Sequence, residues 1–308
     1  MLKTNQNNRK IFNLIKLTLF LLVIVIIYFQ INQFNKDSWR EFKLDSIVAL
    51  LIALGLVYLN IWIAYIQWKV TLKLIVPKTE LKTRSQSFFA GIVTGIVTPN
   101  MMGNFIGRLF YFERKHRISI TLFTLLGNYA QFLASLVFGW IAILIVGDLY
   151  VLPHSESLIF VLGFAVIMAF LLYFFIDNFL SRFKKKVYFN SFREILTKNR
   201  TFRITILGLS LLRFFVFTMQ FSLMLRAFGE IIDISVIMAI WQVYLLTMLI
   251  PSIFLGKIGV RESVALFVLV NLEMNEYAIL FSSLIIWALN TLLPALVGLV
   301  ICKNRENV

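Results

Sequence analysis

Residues 251–263 read PSIFLGKIGVRES, and they interrupt a stretch of chain that otherwise consists mostly of large apolar side chains. One proline, two glycines and three ionisable residues fall within this short segment. A helix that breaks at membrane depth frees N–H and C=O groups that lipid cannot satisfy, so it persists only where protein or a wet cavity covers it. The segment therefore predicts a broken, re-entrant membrane helix with a polar site at its tip.

The composition of the whole chain agrees with a membrane environment. Of the 308 residues, 60% are hydrophobic, and the mean hydropathy is +0.86, which indicates an all-α polytopic membrane protein. The formal charge of +15 comes from basic residues that cluster between apolar runs, as in cytoplasmic loops, and so argues against a nucleic-acid partner. Cys302 is the only cysteine, which excludes an intrachain disulfide and a cysteine metal cluster.

Motifs of common enzyme and nucleotide sites do not occur in the sequence. There is no Walker loop, no HExxH and no GxSxG. We therefore predict no catalytic residue, no metal site and no cofactor.

Eight apolar segments are long enough to be considered as spans, since a transmembrane helix needs about 20 mainly apolar residues. Two of the eight contain both proline and several glycines, namely 85–112 and 236–270. The eight segments are 11–29, 44–68, 85–112, 118–146, 157–176, 204–228, 236–270 and 277–301.

The distribution of charge indicates how many of these segments cross the membrane. If all eight crossed, the basic cluster at 114–117 would lie opposite the basic loop at 69–84. If instead 85–112 enters from the cytoplasm and returns, and 236–270 does so from outside, nearly every basic connection becomes cytoplasmic. This predicts six transmembrane helices plus two re-entrant helical hairpins in the plasma membrane, with both termini in the cytoplasm.

The order of these elements predicts an inverted repeat within a single integral membrane domain, residues 1–308. Two spans, a hairpin and a span are followed by the same series in the opposite orientation. The repeats would cover 11–146 and 157–302, an arrangement found in many secondary transporters.

The second hairpin supplies the first group of candidate site residues. A half-helix that begins near Gly259 would point N–H groups and the positive end of its dipole at the cavity, which favours an anion. Lys257 and Arg261 add positive charge, and Glu262 balances one of them. The alternative is that both cations extend to the headgroups, with Glu262 as a structural partner. The predicted breaks in this hairpin are Pro251, Gly256 and Gly259.

The first hairpin supplies a second group. Pro99 and Asn100 suit its tip, Gly103 is a further predicted break, and Asn104 and Arg108 follow as candidate headgroup ligands. For Arg108 the alternative is an arginine that extends to the interface, continuous with the basic cluster at 114–117.

Glycines and polar side chains predict contacts between helices. The spacings Gly91 to Gly95 and Gly103 to Gly107 are both GxxxG, which allows the two arms of the first hairpin to approach closely. Asn128 and Gln131 share one helix face, for which we expect interhelical hydrogen bonds.

Arg213 lies several turns inside a predicted span and shares a face with Gln220. A lone arginine at that depth should face the protein interior or water, so Arg213 is a candidate for lining the polar site.

Both hairpins carry motifs of a known family. The pattern TP-x-x-x-G followed by Arg108, and later P-x(7)-GVRE, resemble the flippase-like family related to the transmembrane region of lysylphosphatidylglycerol synthases. The resemblance extends over roughly 12–301. Family members often carry a basic residue soon after the first proline and a carboxylate after the glycine, where this chain has Met101, Met102 and Asn104. The chain ends soon after Cys302, without the soluble aminoacyl-transfer domain of the bifunctional relatives, so we do not expect lysyl transfer.

These observations favour a lipid flippase or permease that is not an enzyme. An anionic or phosphate-bearing lipid headgroup would pass through a polar groove between the hairpins, while the acyl chains stay in the bilayer. One alternative is a membrane-embedded transferase acting on a lipid-linked substrate, with Glu262 as the base. Another is a non-catalytic membrane partner of a cell-envelope complex.

Overall fold

A computed structural model describes residues 25, 28, 32, 34, 36–98, 101, 103–146, 156–181, 187–250 and 259–303. Within this part of the chain the secondary structure is helical, and no strand is present. The helices are α1 (Lys36–Glu41), α2 (Ile47–Ile75), α3 (Leu81–Ile96), α4 (Asn104–Leu109), α5 (Arg114–Val146), α6 (Glu156–Ser181), α7 (Val187–Lys198), α8 (Arg200–Ala227), α9 (Ile234–Leu249), α10 (Val260–Leu269), α11 (Glu276–Trp287) and α12 (Leu293–Lys303). A 3₁₀ turn, Val270–Leu272, follows α10, and a π-helical segment, Ala288–Leu292, joins α11 to α12.

Five of the described helical stretches are long and apolar enough to cross a membrane. They are Ile47–Ile75, Arg114–Val146, Ile159–Ile176, Thr201–Ala227 and Glu276–Cys302. Each coincides with a predicted span, so the all-α membrane fold is confirmed. The predicted first span, 11–29, lies outside the described residues except for residues 25 and 28.

Two connections predicted as loops are helical in part. The helix α2 continues to Ile75, because Trp68, Leu72 and Ile75 still bury their side chains in the core. The connection between the predicted spans 157–176 and 204–228 contains the amphipathic helix α7, which buries Phe192 and Leu196. Apolar side chains that pack at the end of a bundle extend helical structure past the hydrocarbon length that a span requires.

The core contains two closely packed pairs of helices. The helix α2 packs along α8, where Gln67 donates from Nε2 to Oγ of Ser210 at 2.9 Å. The helix α5 packs against α9, and a Cβ built on Gly139 would lie 2.4 Å from Cβ of Leu245. Small residues at such crossings let membrane helices approach closely.

The outer surface of the bundle is strongly apolar. Phe160 is 79% exposed and Val300 is 69% exposed, and many other large apolar side chains are accessible. Contiguous apolar surface of this kind marks contact with lipid rather than water.

Candidate functional site

The first predicted hairpin segment forms two helices, α3 and α4, that pack side by side. A Cβ built on Gly107 would lie only 2.2 Å from the carbonyl oxygen of Ala90, and one on Gly91 would lie 2.7 Å from the carbonyl oxygen of Asn104. No side chain fits at either position. The prediction that these glycines pack the two arms together is therefore confirmed.

Two threonine hydroxyls satisfy backbone groups at the break between these arms. Oγ1 of Thr98 accepts the N–H of Gly103 at 2.7 Å, and Oγ1 of Thr94 accepts the N–H of Gly107 at 3.1 Å. The sequence reasoning missed both threonines, although a helix break at membrane depth requires such partners. The predicted tip residues Pro99 and Asn100 lie outside the described residues.

Asn104 joins the hairpin to the long helix α5. Its Nδ2 donates to Oδ1 of Asn128 at 3.0 Å, and Nδ2 of Asn128 donates to Oδ1 of Asn104 at 3.4 Å. The expected interhelical hydrogen bonding of Asn128 is confirmed. Oε1 of Gln131, the residue paired with it in the prediction, is buried and has no hydrogen-bond partner within the described chain.

Arg108, on α4, is half-buried among α2 and α5. Its guanidinium carbon lies 4.3 Å from the ring centroid of Trp68, and Nη1 donates to Oγ1 of Thr124 at 3.3 Å. Its Nε is buried and has no hydrogen-bond partner among the described residues. The cation is thus held by an aromatic face and one hydroxyl.

Arg213, near the middle of α8, is held by a buried amide. Its Nε donates to Oδ1 of Asn60 at 2.9 Å, and its guanidinium carbon lies 5.1 Å from the ring centroid of Phe217. Asn60 itself is almost completely buried in α2. Arg213 therefore points into the bundle, as its depth in the sequence predicts.

A chain of amides extends from Asn60 into the interior. Nδ2 of Asn60 donates to Oδ1 of Asn290 at 2.6 Å, and Nδ2 of Asn290 donates to Oε1 of Gln220 at 2.7 Å. Gln220 in turn donates from Nε2 to the carbonyl oxygen of Ala53 at 3.1 Å. This amide chain connects α2, α8 and the π-helical segment.

Asn290 lies in the π-helical segment, Ala288–Leu292. Such π segments within α-helices occur frequently at functional sites. The sequence reasoning missed Asn60 and Asn290, yet each is an isolated amide within an apolar span, a signal that would have identified them.

Arg108 and Arg213 are both held against α2, Arg108 by the ring of Trp68 and Arg213 by the amide of Asn60, two residues about 12 Å apart along that helix. No described carboxylate forms an ion pair with either guanidinium. The structure thus brings together two predicted site residues from different parts of the chain. Their combined charge makes this part of the interior suitable for an anion.

The second hairpin segment contains the helices α9 and α10, which pack together. The helix α10 begins at Val260, after Gly259 in the left-handed region with φ of 82°. Only glycine adopts this conformation at little steric cost, so the predicted helix start near Gly259 is confirmed. Pro251, Gly256 and Lys257 lie outside the described residues.

Arg261 and Glu262 form a compact ion pair beside α11. Glu262 is fully buried, and its Oε2 accepts the N–H of Gly259 at 2.7 Å. Its Oε1 accepts from Nη2 of Arg261 at 3.1 Å and from Oγ of Ser283 at 3.0 Å. Nε of Arg261 also donates to Oγ of Ser283 at 2.9 Å. Here, unlike at Arg108 and Arg213, the positive charge has a buried carboxylate partner.

Comparison with models of known protein families gives a match. Residues 13–298 match the family model described as Lysylphosphatidylglycerol synthase TM region. The chain belongs to this family. The matched range includes both hairpin segments and all of the site residues above, and it agrees with the resemblance seen in the TP-x-x-x-G and P-x(7)-GVRE motifs. No curated protein and no solved structure matches the chain.

Proposed function

We propose that this member of the lysylphosphatidylglycerol synthase transmembrane-region family binds an anionic or phosphate-bearing lipid headgroup and moves it across the membrane. The observation that carries the proposal is the pair Arg108 and Arg213, two guanidiniums that are held against the same helix α2 without a described carboxylate partner. The acyl chains would remain in the bilayer during this movement.

The two guanidiniums have no described carboxylate partner and therefore leave uncompensated positive charge inside the bundle. Each arginine at the centre of a membrane helix costs about 2.5–3.5 kcal/mol on insertion scales. The Trp68 ring, the Thr124 hydroxyl and the Asn60 amide offset part of that cost but leave the charge in place. An anionic headgroup would neutralise it, and guanidinium groups match the geometry of phosphate oxygens particularly well. Arg261 and Lys257 remain predicted ligands from the second hairpin.

The proposed layout has six transmembrane helices and two hairpins that enter from opposite sides of the plasma membrane, with both termini in the cytoplasm. It is supported by the short helices of both hairpin segments: α3 and α9 each have 16 residues, and both are followed by a short helix that packs against them.

Exposed positions allow a direct test of this layout. In a Cys302→Ser background, Lys115→Cys should react with an impermeant thiol reagent only from the cytoplasm, and Glu273→Cys only from outside. Labelling of both from one side would contradict the layout.

The contacts of Glu262 weigh against the membrane transferase. A general base must reach the proton that it removes. Both carboxylate oxygens of Glu262 are engaged by Gly259, Arg261 and Ser283, and the side chain is 1% exposed. We therefore propose that the protein is not an enzyme.

The test is lipid movement in liposomes that contain the purified chain. Fluorescent phosphatidylglycerol and phosphatidylcholine are placed in both leaflets, and an impermeant quencher reports the arrival of inner-leaflet lipid. We expect faster movement of phosphatidylglycerol with the wild type. The double variant Arg108→Gln, Arg213→Gln should slow it by about tenfold or more, because charge-assisted hydrogen bonds to phosphate are lost.

Arg226→Gln is the matched control. Arg226 lies on the same helix as Arg213, α8, but it is exposed near the C-terminal end of that helix. This variant should behave as the wild type. Equal rates for the wild type and the double variant would overturn the site assignment. A folded wild type that moves neither lipid would favour the non-catalytic membrane partner.

A further inference from the structure

The helix α5 carries an exposed polar side chain near the middle of its length. Asn128 lies about 21 Å along the helix axis from Arg114, where α5 begins, and about 27 Å from Val146, where it ends. Because α5 is apolar and long enough to cross a membrane whose hydrocarbon layer is about 30 Å thick, Asn128 stands at membrane depth. Its side chain is nevertheless exposed. Lipid chains satisfy neither the N–H groups nor the oxygen of an amide, so this position requires water or a polar ligand.

Asn128 forms a reciprocal amide pair with Asn104 of α4. Nδ2 of each side chain donates to Oδ1 of the other, at 3.0 and 3.4 Å. A primary amide has two N–H donors and an oxygen with two lone pairs, so each partner keeps one donor and one acceptor for a group outside the pair. The amide pair therefore offers hydrogen bonds of both kinds at membrane depth.

This amide pair lies one helical turn from the contact between Arg108 and Thr124. Asn104 and Arg108 are four residues apart on α4, and Thr124 and Asn128 are four residues apart on α5. The two contacts are thus successive rungs between antiparallel helices, separated by about 6 Å along their axes. The first rung is exposed, whereas Thr124 in the second is buried. A ligand at the amide pair would have to move only one turn to meet the guanidinium.

The polar face of α5 continues beyond the amide pair. Thr124, Asn128 and Gln131 share one face of the helix, because they are spaced by four and three residues. Oε1 of Gln131 is buried and has no hydrogen-bond partner within the described chain. Near the C-terminal end of the same helix the exposed residues are apolar instead, with Leu144 at 47% and Ile145 at 59% exposure. The middle of α5 thus differs from an ordinary lipid-facing surface.

We propose that a phospholipid headgroup enters the protein between α4 and α5 at the amide pair of Asn104 and Asn128, which separates as the headgroup passes to Arg108. This inference rests on the proposed function, because it describes how the headgroup reaches the arginines. Neutral hydrogen bonds that are exchanged for others add little net stability, so the pair separates readily. Its free N–H groups suit phosphate oxygens, and its free carbonyl lone pairs suit headgroup hydroxyls.

A reversible disulfide tests this entrance. Asn104→Cys and Asn128→Cys are introduced together in a Cys302→Ser background, and a mild oxidant joins the two thiols. The movement of fluorescent phosphatidylglycerol in liposomes is followed with an impermeant quencher that leaves disulfides intact. We expect the disulfide to slow this movement by about tenfold or more, because the entrance cannot open. Reduction should restore the rate measured before oxidation, which shows that the protein is still folded.

Asn104→Cys combined with Leu144→Cys is the matched control. Leu144 is exposed on the same helix α5 but lies about 24 Å along it from Asn128, too far for a disulfide with residue 104. The same oxidant should leave the rate of this variant unchanged.

An unchanged rate in the disulfide-bonded protein would overturn the entrance. If Arg108→Gln, Arg213→Gln still slowed the movement, the proposed function would stand without it. A disulfide that joins two chains, seen as a dimer on a non-reducing gel, would assign the amide pair to a contact between copies and would also overturn the entrance. A wild type that moves no lipid would overturn both the entrance and the proposed function.

Discussion

Oδ1 of Asn60 accepts a hydrogen bond from Nε of Arg213 at 2.9 Å, deep between the helices α2 and α8. The same amide donates from Nδ2 to Asn290 in the π-helical segment. One buried side chain thus positions a cation and connects three helical elements. Removing it would affect both the stability of the bundle and the orientation of the guanidinium.

We predict that Asn60→Leu lowers the stability of the protein by about 1–3 kcal/mol, because it leaves a buried charged donor without its acceptor. Thermal unfolding in detergent, followed by circular dichroism, measures this change. Asn60→Asp provides the informative comparison, since its carboxylate would form an ion pair with Arg213. We expect this variant to unfold at a higher temperature than Asn60→Leu and to bind anionic headgroups weakly, because the site charge is already neutralised. Undiminished headgroup binding by Asn60→Asp would contradict a role for Arg213.

The second prediction concerns the close approach of α3 and α4. Gly107→Ala should destabilise the protein by about 1–3 kcal/mol, because the new methyl group overlaps the carbonyl of Ala90 and forces the arms apart. Gly208→Ala is the matched control, since a Cβ there meets nothing within 4 Å. It should be neutral or slightly stabilising, as alanine favours helix more than glycine does. Equal unfolding temperatures for the two variants would argue against the tight hairpin.

A double-mutant cycle tests the ion pair of Arg261 and Glu262. Glu262→Ala alone should cost about 3–5 kcal/mol, because it leaves a mostly buried guanidinium without its carboxylate. The double variant Arg261→Ala, Glu262→Ala should be less destabilised than the sum of the two single variants. Strictly additive losses in unfolding free energy would show that the two side chains do not act as a unit.

A fourth prediction uses pH. Burial raises the pKa of Glu230 above its ordinary value of 4.5, and the N–H of Asn275 partly opposes this shift. A carboxyl group with a raised pKa in the folded state binds its proton more tightly there than in the unfolded chain. Its contribution to stability is therefore fully present below the unfolded pKa and is lost as the pH rises through the folded pKa.

The unfolding temperature of the wild type should therefore rise as the pH falls from about 8 to about 5, and Glu230→Gln should reduce this rise. The glutamine oxygen can still accept the N–H of Asn275, so folding should be preserved. Glu273→Gln, a substitution at an exposed residue between the 3₁₀ turn and α11, should leave the pH profile of the wild type in place. A profile unchanged by Glu230→Gln would show that another group titrates in this range.

Much of the architecture could be predicted because hydropathy and glycine spacing act locally along the chain. The five described spans coincide with apolar segments of sufficient length, and the glycines of α3 and α4 mark where two backbones meet. The helix start at Gly259 was predictable as well, since a glycine before an apolar run with Glu262 in its first turn is typical of an N-terminus. The helix α7 was not predicted, because Phe192 and Leu196 become buried only when α7 packs against other helices, as Phe192 does against Phe123 of α5.

The sequence by itself determined that this is an integral membrane protein, where its five described spans lie and which charged residues fall within apolar segments, since each of these follows from the cost of placing nearby residues in lipid. Only the tertiary structure decided how those charges are compensated. Glu262 neutralises Arg261, its neighbour in sequence, whereas Arg108 and Arg213 come from separate helices and are held by side chains of a third helix, α2. A partner that arrives from a distant helix depends on how the bundle packs, and no local pattern in the chain records it.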